Sequence, residues 1–185
     1  MNETHAIGEA GEVVGFWRQA GPERWFKRDE AFDRECRLRF YEMHFAAARR
    51  ECEHWMHEAE GALALLILLD QIPRNVFRGS AHAFATDPLA HHYATRAIGL
   101  GFDMQLESPL RPFFYLPFQH SEAMVDQQHA LKLFGALVEP GADQWARHHH
   151  AIIERFGRFP HRNAVLGRKS TPEEIEFLKE PGSSF

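Results

Sequence analysis

The chain has 185 residues, 44% of them hydrophobic and 25% charged, which is the balance of a globular protein that forms a single domain over residues 1–185. A formal net charge of −5 argues against nucleic acid or a membrane surface as a partner. Cys36 and Cys52 are too few for a disulfide framework or a zinc site, and the first residues, MNETHAIGEAGE, lack a secretory signal. We therefore expect a reduced, soluble, cytoplasmic protein.

The first part of the chain predicts two amphipathic helices. The first runs from about Glu9 to Ala20 and stops at Gly21 and Pro22. The second runs from Asp29 into the low fifties. Apolar residues recur along it every three or four positions and so lie on one stripe: Phe32, Cys36, Phe40, Met43 and Ala47.

The segment ALALLILL predicts a third helix, from about Glu58 to Leu69, that is buried on every side. A buried strand can show the same apolar run, but Leu and Ala outnumber β-branched residues here and no partner strand is visible. Pro73 is expected to end or bend this helix, because proline removes a donor and clashes with the preceding turn.

Capping residues define the later helices. Asp87 is expected to cap a fourth helix, with Pro88 at its first position and Gly101 at its exit. The prolines between residues 108 and 117 predict a bent or broken segment, followed by a helix from about Ser121 to near residue 140. A sixth helix follows from Asp143 to about Phe156. The segment STPEEIEFL predicts a last helix with a capping box between residues 171 and 174.

Six to seven helices with no predicted strand indicate an all-α domain of packed helical pairs. The longest segment without a predicted element is residues 157–170. Ordered loops of that length are often functional, so this loop is a candidate site.

Three motifs carry a resemblance to a known family: LLDQIPRNVFRGSAHAFATDPLA, FYLPFQHSEAMVDQQ and IIERFGRFPHRNAVLGRKSTPEEIEFL. With them the chain resembles the bacterial domain-of-unknown-function family nine-two-four over nearly its whole length. The resemblance implies a tetratricopeptide-like array of antiparallel helical pairs. It implies no activity, substrate, cofactor or catalytic residue. Gln119, within LPFQHSE, is a small departure from the family pattern.

The loop motif concentrates positive charge. Residues 143–169 contain six Lys or Arg and two acids, so they carry about +4 in a chain of net charge −5. Guanidinium groups bind carboxylates and phosphates bidentately, so an anion site is one interpretation. The alternative is that the arginines brace the loop against helix ends and acidic side chains. The candidate anion ligands are Arg74, Arg155, Arg158, His161, Arg162 and Arg168.

Arg74 follows Asp70 by four residues, directly after the helix that is predicted to be buried. Two desolvated partners of opposite charge are expected to pair, because a buried charge without a partner is costly. A structural clamp is therefore the first interpretation of this pair, and a ligand-facing Arg74 is the alternative.

A metal or acid–base site is the second interpretation of the later motifs. Glu122 and Asp126 share a helix face, His120 lies just before them, and His161 can come from the loop. The paired Glu-x-x-His pattern of di-metal bundles is found only once, at Glu51. Nucleophile, phosphate-loop and dinucleotide motifs are absent.

Two functional hypotheses follow. In the first, the protein is a binding module that holds an anionic small molecule or an acidic peptide through the basic loop, without a cofactor. In the second, it is an enzyme in which His120, Glu122, Asp126 and His161 bind a divalent metal or exchange protons.

Overall fold

The structure is a computed structural model that describes the backbone of residues 3–184 and the side chains of residues 10–184. Every regular element in this range is helical and none is a strand, which confirms the predicted all-α class. The chain divides into two compact units. The first contains the residues up to Arg78 and His82–Pro117, and the second contains residues 79–81 and Phe118–Phe185. The predicted single domain and the tetratricopeptide-like arrangement stay predictions.

Seven α-helices begin in the first unit and three lie in the second. The first seven are α1 (Glu3–Ala20), α2 (Pro22–Trp25), α3 (Glu30–Ala48), α4 (Ala59–Leu66), α5 (Ile72–Val76), α6 (Asp87–Gly99) and α7 (Pro112–Gln119). The others are α8 (Met124–Gly135), α9 (Gln144–Phe156) and α10 (Pro172–Phe177). If α4 and α5, which form one continuous run, are counted as one helix, residues 3–184 contain nine α-helices. The sequence predicts six to seven helices, and the two that it does not predict are the short α2 and α7.

The core of the first unit is aromatic. Phe32, Cys36, Phe40 and Ala47 of α3 are buried, as the apolar stripe predicts. Met43, which the stripe also includes, is only half-buried, and the adjacent His44 is buried instead. Helix α4 is buried on all sides except at Glu60, which confirms that ALALLILL belongs to a central helix.

Pro73 does not end the run of helical turns, which continues through it to Val76. Between α4 and α5 the chain makes a π turn, Ile67–Gln71, in which the Ile72 amide donates to the Ile67 carbonyl five residues earlier. Pro73 lies at the start of α5 and is buried. A proline is tolerated there because its missing amide hydrogen is not needed in a first turn.

The π turn leaves backbone carbonyls that accept from side chains. The Leu68 carbonyl oxygen lies 2.8 Å from His44 Nδ1, and the Leu69 carbonyl accepts from the Thr86 hydroxyl at 2.5 Å. Thr86 is also the residue that precedes α6, although its side chain makes no capping bond. The predicted cap by Asp87 is wrong, because the Asp87 carboxylate instead accepts two bonds from Arg74.

In the second unit, α8 and α9 pack together, and residues that follow α9 complete a small core. Helix α8 is shorter at both ends than predicted. The bent or broken entry predicted before it consists of a 3-10 turn, Ser108–Leu110, and the short α7, which contains Pro117. The capping box at Thr171 and Glu174 is confirmed. The buried core side chains are Ile152, Ile153, Phe159 and Phe177.

Candidate functional site

Arg158 is held by the last helix of the chain. Its Nε and Nη2 atoms donate to the two Glu174 oxygens at 2.6 and 2.8 Å, and Nη2 also donates to the Lys169 carbonyl at 2.9 Å. Glu174 accepts in addition from the Thr171 amide, so one carboxylate both caps α10 and binds the arginine. The Glu174 side chain is 3% exposed. Arg158 is therefore part of the scaffold that fixes the loop.

Arg168 braces the loop at a second point. It donates from Nη1 and Nη2 to the Glu122 carboxylate at 2.7 and 2.9 Å, and Nη2 also donates to the Phe159 carbonyl at 3.1 Å. Glu122 accepts from the Phe159 amide at 2.8 Å as well. The two charged groups thus hold both backbone groups of Phe159. This arrangement fixes the position of the Phe159 ring in the core.

Two more of the predicted anion ligands have internal carboxylate partners. Arg155 donates to Glu173 at 3.0 Å on the surface. Arg74 lies in the first unit, where it donates to Asp87 at 2.9 and 3.0 Å and pairs with Asp70 at 3.3 Å. The pairing expected between Asp70 and Arg74 is present. These contacts agree with the bracing interpretation of the basic residues and not with a shared anion site.

Arg162 and His161 lie in the interior part of the loop, next to the Phe159 ring. The Arg162 guanidinium is 4.5 Å from the ring centroid, and the side chain is buried. The His161 ring centroid lies 5.8 Å from that of Phe159, and the His149 centroid lies 5.5 Å from it. Both side chains of this part of the loop therefore pack against the buried Phe159 ring.

A buried polar cluster adjoins this ring, and we call it the polar centre. Gln127 Nε2 donates to the carbonyls of Gln119 and Ser121 at 2.7 and 2.6 Å, on either side of His120. The His120 ring centroid lies 6.1 Å from that of His149. The polar centre consists of Gln119, His120, Gln127, His149 and Arg162, of which all but His120 are buried.

The backbone fixes the tautomer of His149. Its Nδ1 atom lies 2.8 Å from the Trp145 carbonyl, which only accepts, so Nδ1 carries the hydrogen and Nε2 carries the lone pair. Burial, together with the neighbouring charges of His120 and Arg162, lowers the pKa of His149 to about 2. The imidazole is therefore neutral at any physiological pH and does not serve as an acid.

Among the side chains of residues 10–184, two glutamine oxygens of the polar centre have no hydrogen-bond donor as a partner. Gln119 Oε1 and Gln127 Oε1 are both buried without one. Gln127 is fully buried, and Gln119 is 4% exposed. A buried amide oxygen without a donor costs about 1–3 kcal/mol, so this is an arrangement that a ligand with N–H or O–H groups would relieve.

The residues of the predicted metal or acid–base site have other roles. Glu122 binds Arg168, and Asp126 accepts from the Ser121 hydroxyl at 2.6 Å at the start of α8. Within the described part of the chain, no three His, Cys, Asp or Glu side chains are placed to hold one metal ion. The His120 ring neighbours that of His149, and the His161 ring neighbours that of Phe159.

A surface groove of about 450 Å³ also lies in the second unit. It is lined by Gln144, Trp145, Arg147, His148 and Gly182, and it includes none of the predicted site residues. The polar centre has the stronger chemical case, because its acceptors are buried and fixed by neighbouring backbone groups.

Acid is expected to loosen the loop through Glu174. Its hydrogen bonds from Arg158 and from the Thr171 amide lower its pKa from 4.5 to about 2. The native state therefore gains stability from Glu174 at pH values above 4.5, and this gain is lost as the pH falls towards 2. Glu174→Gln should flatten the dependence of the melting temperature on pH in that window. Glu173→Gln, at an exposed neighbour, is the control and should retain the wild-type slope; equal slopes for all three proteins would contradict the role of Glu174.

Sequence reasoning missed most of the polar centre. Gln127 and His149 carry no motif, and Gln119 was noticed only as a departure from a family pattern. The feature of the sequence that points to this site is the high density of polar residues in the segments QHSE and PHRN, which lie beside apolar helices. Their burial depends on contacts that the sequence does not show.

The comparisons with known proteins identify the family. The model of a family described as "Bacterial protein of unknown function (DUF924)" matches residues 13–182. The solved structure of the protein of unknown function ATU0120 from Agrobacterium tumefaciens is 50% identical and covers 94% of this chain and 98% of its own, with a TM-score of 0.91. No curated protein matches the chain. Among the described residues, no helix is long and apolar enough to cross a membrane. The chain belongs to the DUF924 family of bacterial proteins of unknown function.

Proposed function

We propose that this protein binds a small anionic molecule that also carries hydroxyl or amino groups, and that the polar centre is its recognition site. The observation that carries the proposal is the pair of buried, partnerless oxygens on Gln119 and Gln127. Acceptors in such a position select ligands with N–H or O–H donors. A binding role, as predicted from the sequence, is thus retained, but its centre moves from the surface arginines to the interior of the second unit.

Charge supports an anionic ligand. The positive charge of Arg162 helps to lower the pKa of both His149 and Glu122, so it acts on a buried neighbour within the centre and on one beside it. His149 is neutral and adds no second charge. A ligand whose carboxylate or phosphate binds Arg162 and whose hydroxyl or amino groups donate to the two glutamine oxygens would satisfy both the charge and the buried acceptors. A buried site of this kind favours a small molecule over an acidic peptide.

The surroundings also support the proposed location. Cys36 and Cys52 are both buried and form no disulfide within the described residues, and burial raises the pKa of the Cys36 thiol to about 12. Such thiols are inert and fit a reducing compartment. We therefore propose that the protein acts in the cytoplasm.

Gln119→Met is expected to separate binding from stability. The substitution conserves volume and removes a buried oxygen that has no partner, so we expect the ligand-free protein to keep or gain stability, by up to about 1 kcal/mol. Binding should be lost, because the ligand's donor then faces a thioether. The measurement is the melting temperature with and without hydroxy- and amino-carboxylates.

Gln128→Met is the matched control, because Gln128 is an exposed glutamine of the same unit, on α8. It should leave both the melting temperature and binding unchanged. A clear loss of stability in ligand-free Gln119→Met would contradict the proposal, since it would mean that the Gln119 oxygen has a structural partner.

A further inference from the structure

We propose that His44 and His82, in the first unit, form a two-histidine binding site for a divalent cation of the zinc type. The site is separate from the polar centre and does not depend on the proposed function. Its geometry rests on a fixed tautomer, a short nitrogen–nitrogen distance and an aromatic wall.

The backbone fixes the tautomer of His44. The ring is fully buried on α3, and Nδ1 lies 2.8 Å from the Leu68 carbonyl oxygen in the π turn. A carbonyl only accepts, so the hydrogen is on Nδ1 and the lone pair is on Nε2. A backbone carbonyl that holds one ring nitrogen while the other binds the metal is the usual arrangement of metal-ligating histidines.

The second histidine is placed at chelating distance. His82 lies in the short 3-10 segment Ala81–Phe84, and its Nε2 atom is 3.1 Å from His44 Nε2. Two nitrogens that bind one zinc ion at about 2.0–2.1 Å lie about 2.9 Å apart at a right angle and about 3.3 Å apart at the tetrahedral angle. The observed separation falls between these values. The two rings need little movement to receive the ion.

The metal-free contact and the metal-bound contact differ by one proton position. Because His44 Nε2 carries no hydrogen, the 3.1 Å contact requires that His82 Nε2 donates to it. When a cation binds, the proton of His82 moves to Nδ1 and the Nε2 lone pair becomes a ligand. Both imidazoles stay neutral, and no other reactant is needed.

Aromatic rings shield the pair on one side. The Phe77 ring centroid lies 4.1 Å from that of His82 and 5.5 Å from that of His44, and the Phe45 centroid lies 5.3 Å from that of His82. His82 is half-buried, so the site is open to solvent on its side. The described residues offer no third His, Cys, Asp or Glu ligand. Water therefore completes the coordination, which predicts an exchangeable ion with an open position rather than a closed structural site.

The test compares zinc uptake by wild type, His82→Ala and His92→Ala. His92 is an exposed histidine of the same unit, so its removal controls for the general affinity of surface imidazoles. In competition with a zinc indicator, we expect wild type and His92→Ala to bind one zinc equivalent that His82→Ala binds about tenfold more weakly or not at all. Equal zinc binding by all three proteins would overturn the proposal.

Nitrogen resonances of the wild-type imidazoles give a second readout that does not rely on a variant. Addition of zinc should shift the Nε2 signals of His44 and His82 together and move the His82 proton to Nδ1. Unchanged Nε2 signals at saturating zinc would overturn the proposal even if His82→Ala did not fold.

Discussion

Gly61→Ala is expected to lower the free energy of unfolding by about 3 kcal/mol. A β-carbon at position 61 would lie 2.2 Å from the Trp55 carbonyl oxygen and 3.0 Å from its carbonyl carbon. These atoms belong to the backbone and cannot rotate away as a side chain does. Helix α4 is the buried centre of the first unit, so relief of the clash requires that a packed helix or the segment Glu53–His57 moves.

The control is Gly15→Ala in α1, where a β-carbon meets no atom within 4 Å. That substitution should raise stability by about 0.5–1 kcal/mol, because alanine loses less backbone entropy in a helix. Chemical denaturation of both variants gives the comparison. Equal stabilities for Gly61→Ala and wild type would show that the approach of the Trp55 carbonyl is not as close as described.

Arg74→Met is expected to cost about 3–5 kcal/mol, because it leaves Asp70 as a buried charge without its cation. The Asp70 side chain is 2% exposed, and it forms an ion pair with Arg74 at 3.3 Å. The same guanidinium holds Asp87 at the start of α6 with two bonds, so the substitution also detaches that helix end. The measurement is the free energy of unfolding in urea.

Two further variants complete this test. Arg78→Met removes a more exposed bidentate pair with Asp33 and should cost only about 1 kcal/mol. Asp70→Asn combined with Arg74→Met should recover part of the loss, because no buried charge then remains. If Arg74→Met were as stable as wild type, the clamp would be refuted and the alternative of a ligand-facing Arg74 would stand.

The helices could be predicted from the sequence because their signals are local. The apolar stripe on α3 and the capping box at Thr171 depend on residues within a few positions of each other. The errors lie where distant residues compete for the same group. Asp87 would cap α6 in isolation, but Arg74, 13 residues earlier, takes its carboxylate.

The site was harder to predict than the fold for the same reason. The sequence shows a cluster of arginines, but it does not show that Glu122, 46 residues before Arg168, reaches that arginine. Nor does periodicity reveal that Gln127 lies at the buried side of α8, where its amide binds two carbonyls. The π turn that frees the Leu68 carbonyl for His44 has no sequence signature comparable to a cap.

The measurement that tests the central claim most directly is a thermal-shift comparison of wild type and Gln119→Met against one panel of small carboxylates and phosphates. The panel includes matched compounds with and without hydroxyl or amino groups. We predict that an anion with such donors raises the melting temperature of wild type, while its counterpart without donors does not, and that Gln119→Met responds to neither. The same shift in both proteins, or no shift of wild type by any compound, would contradict a recognition site at the polar centre.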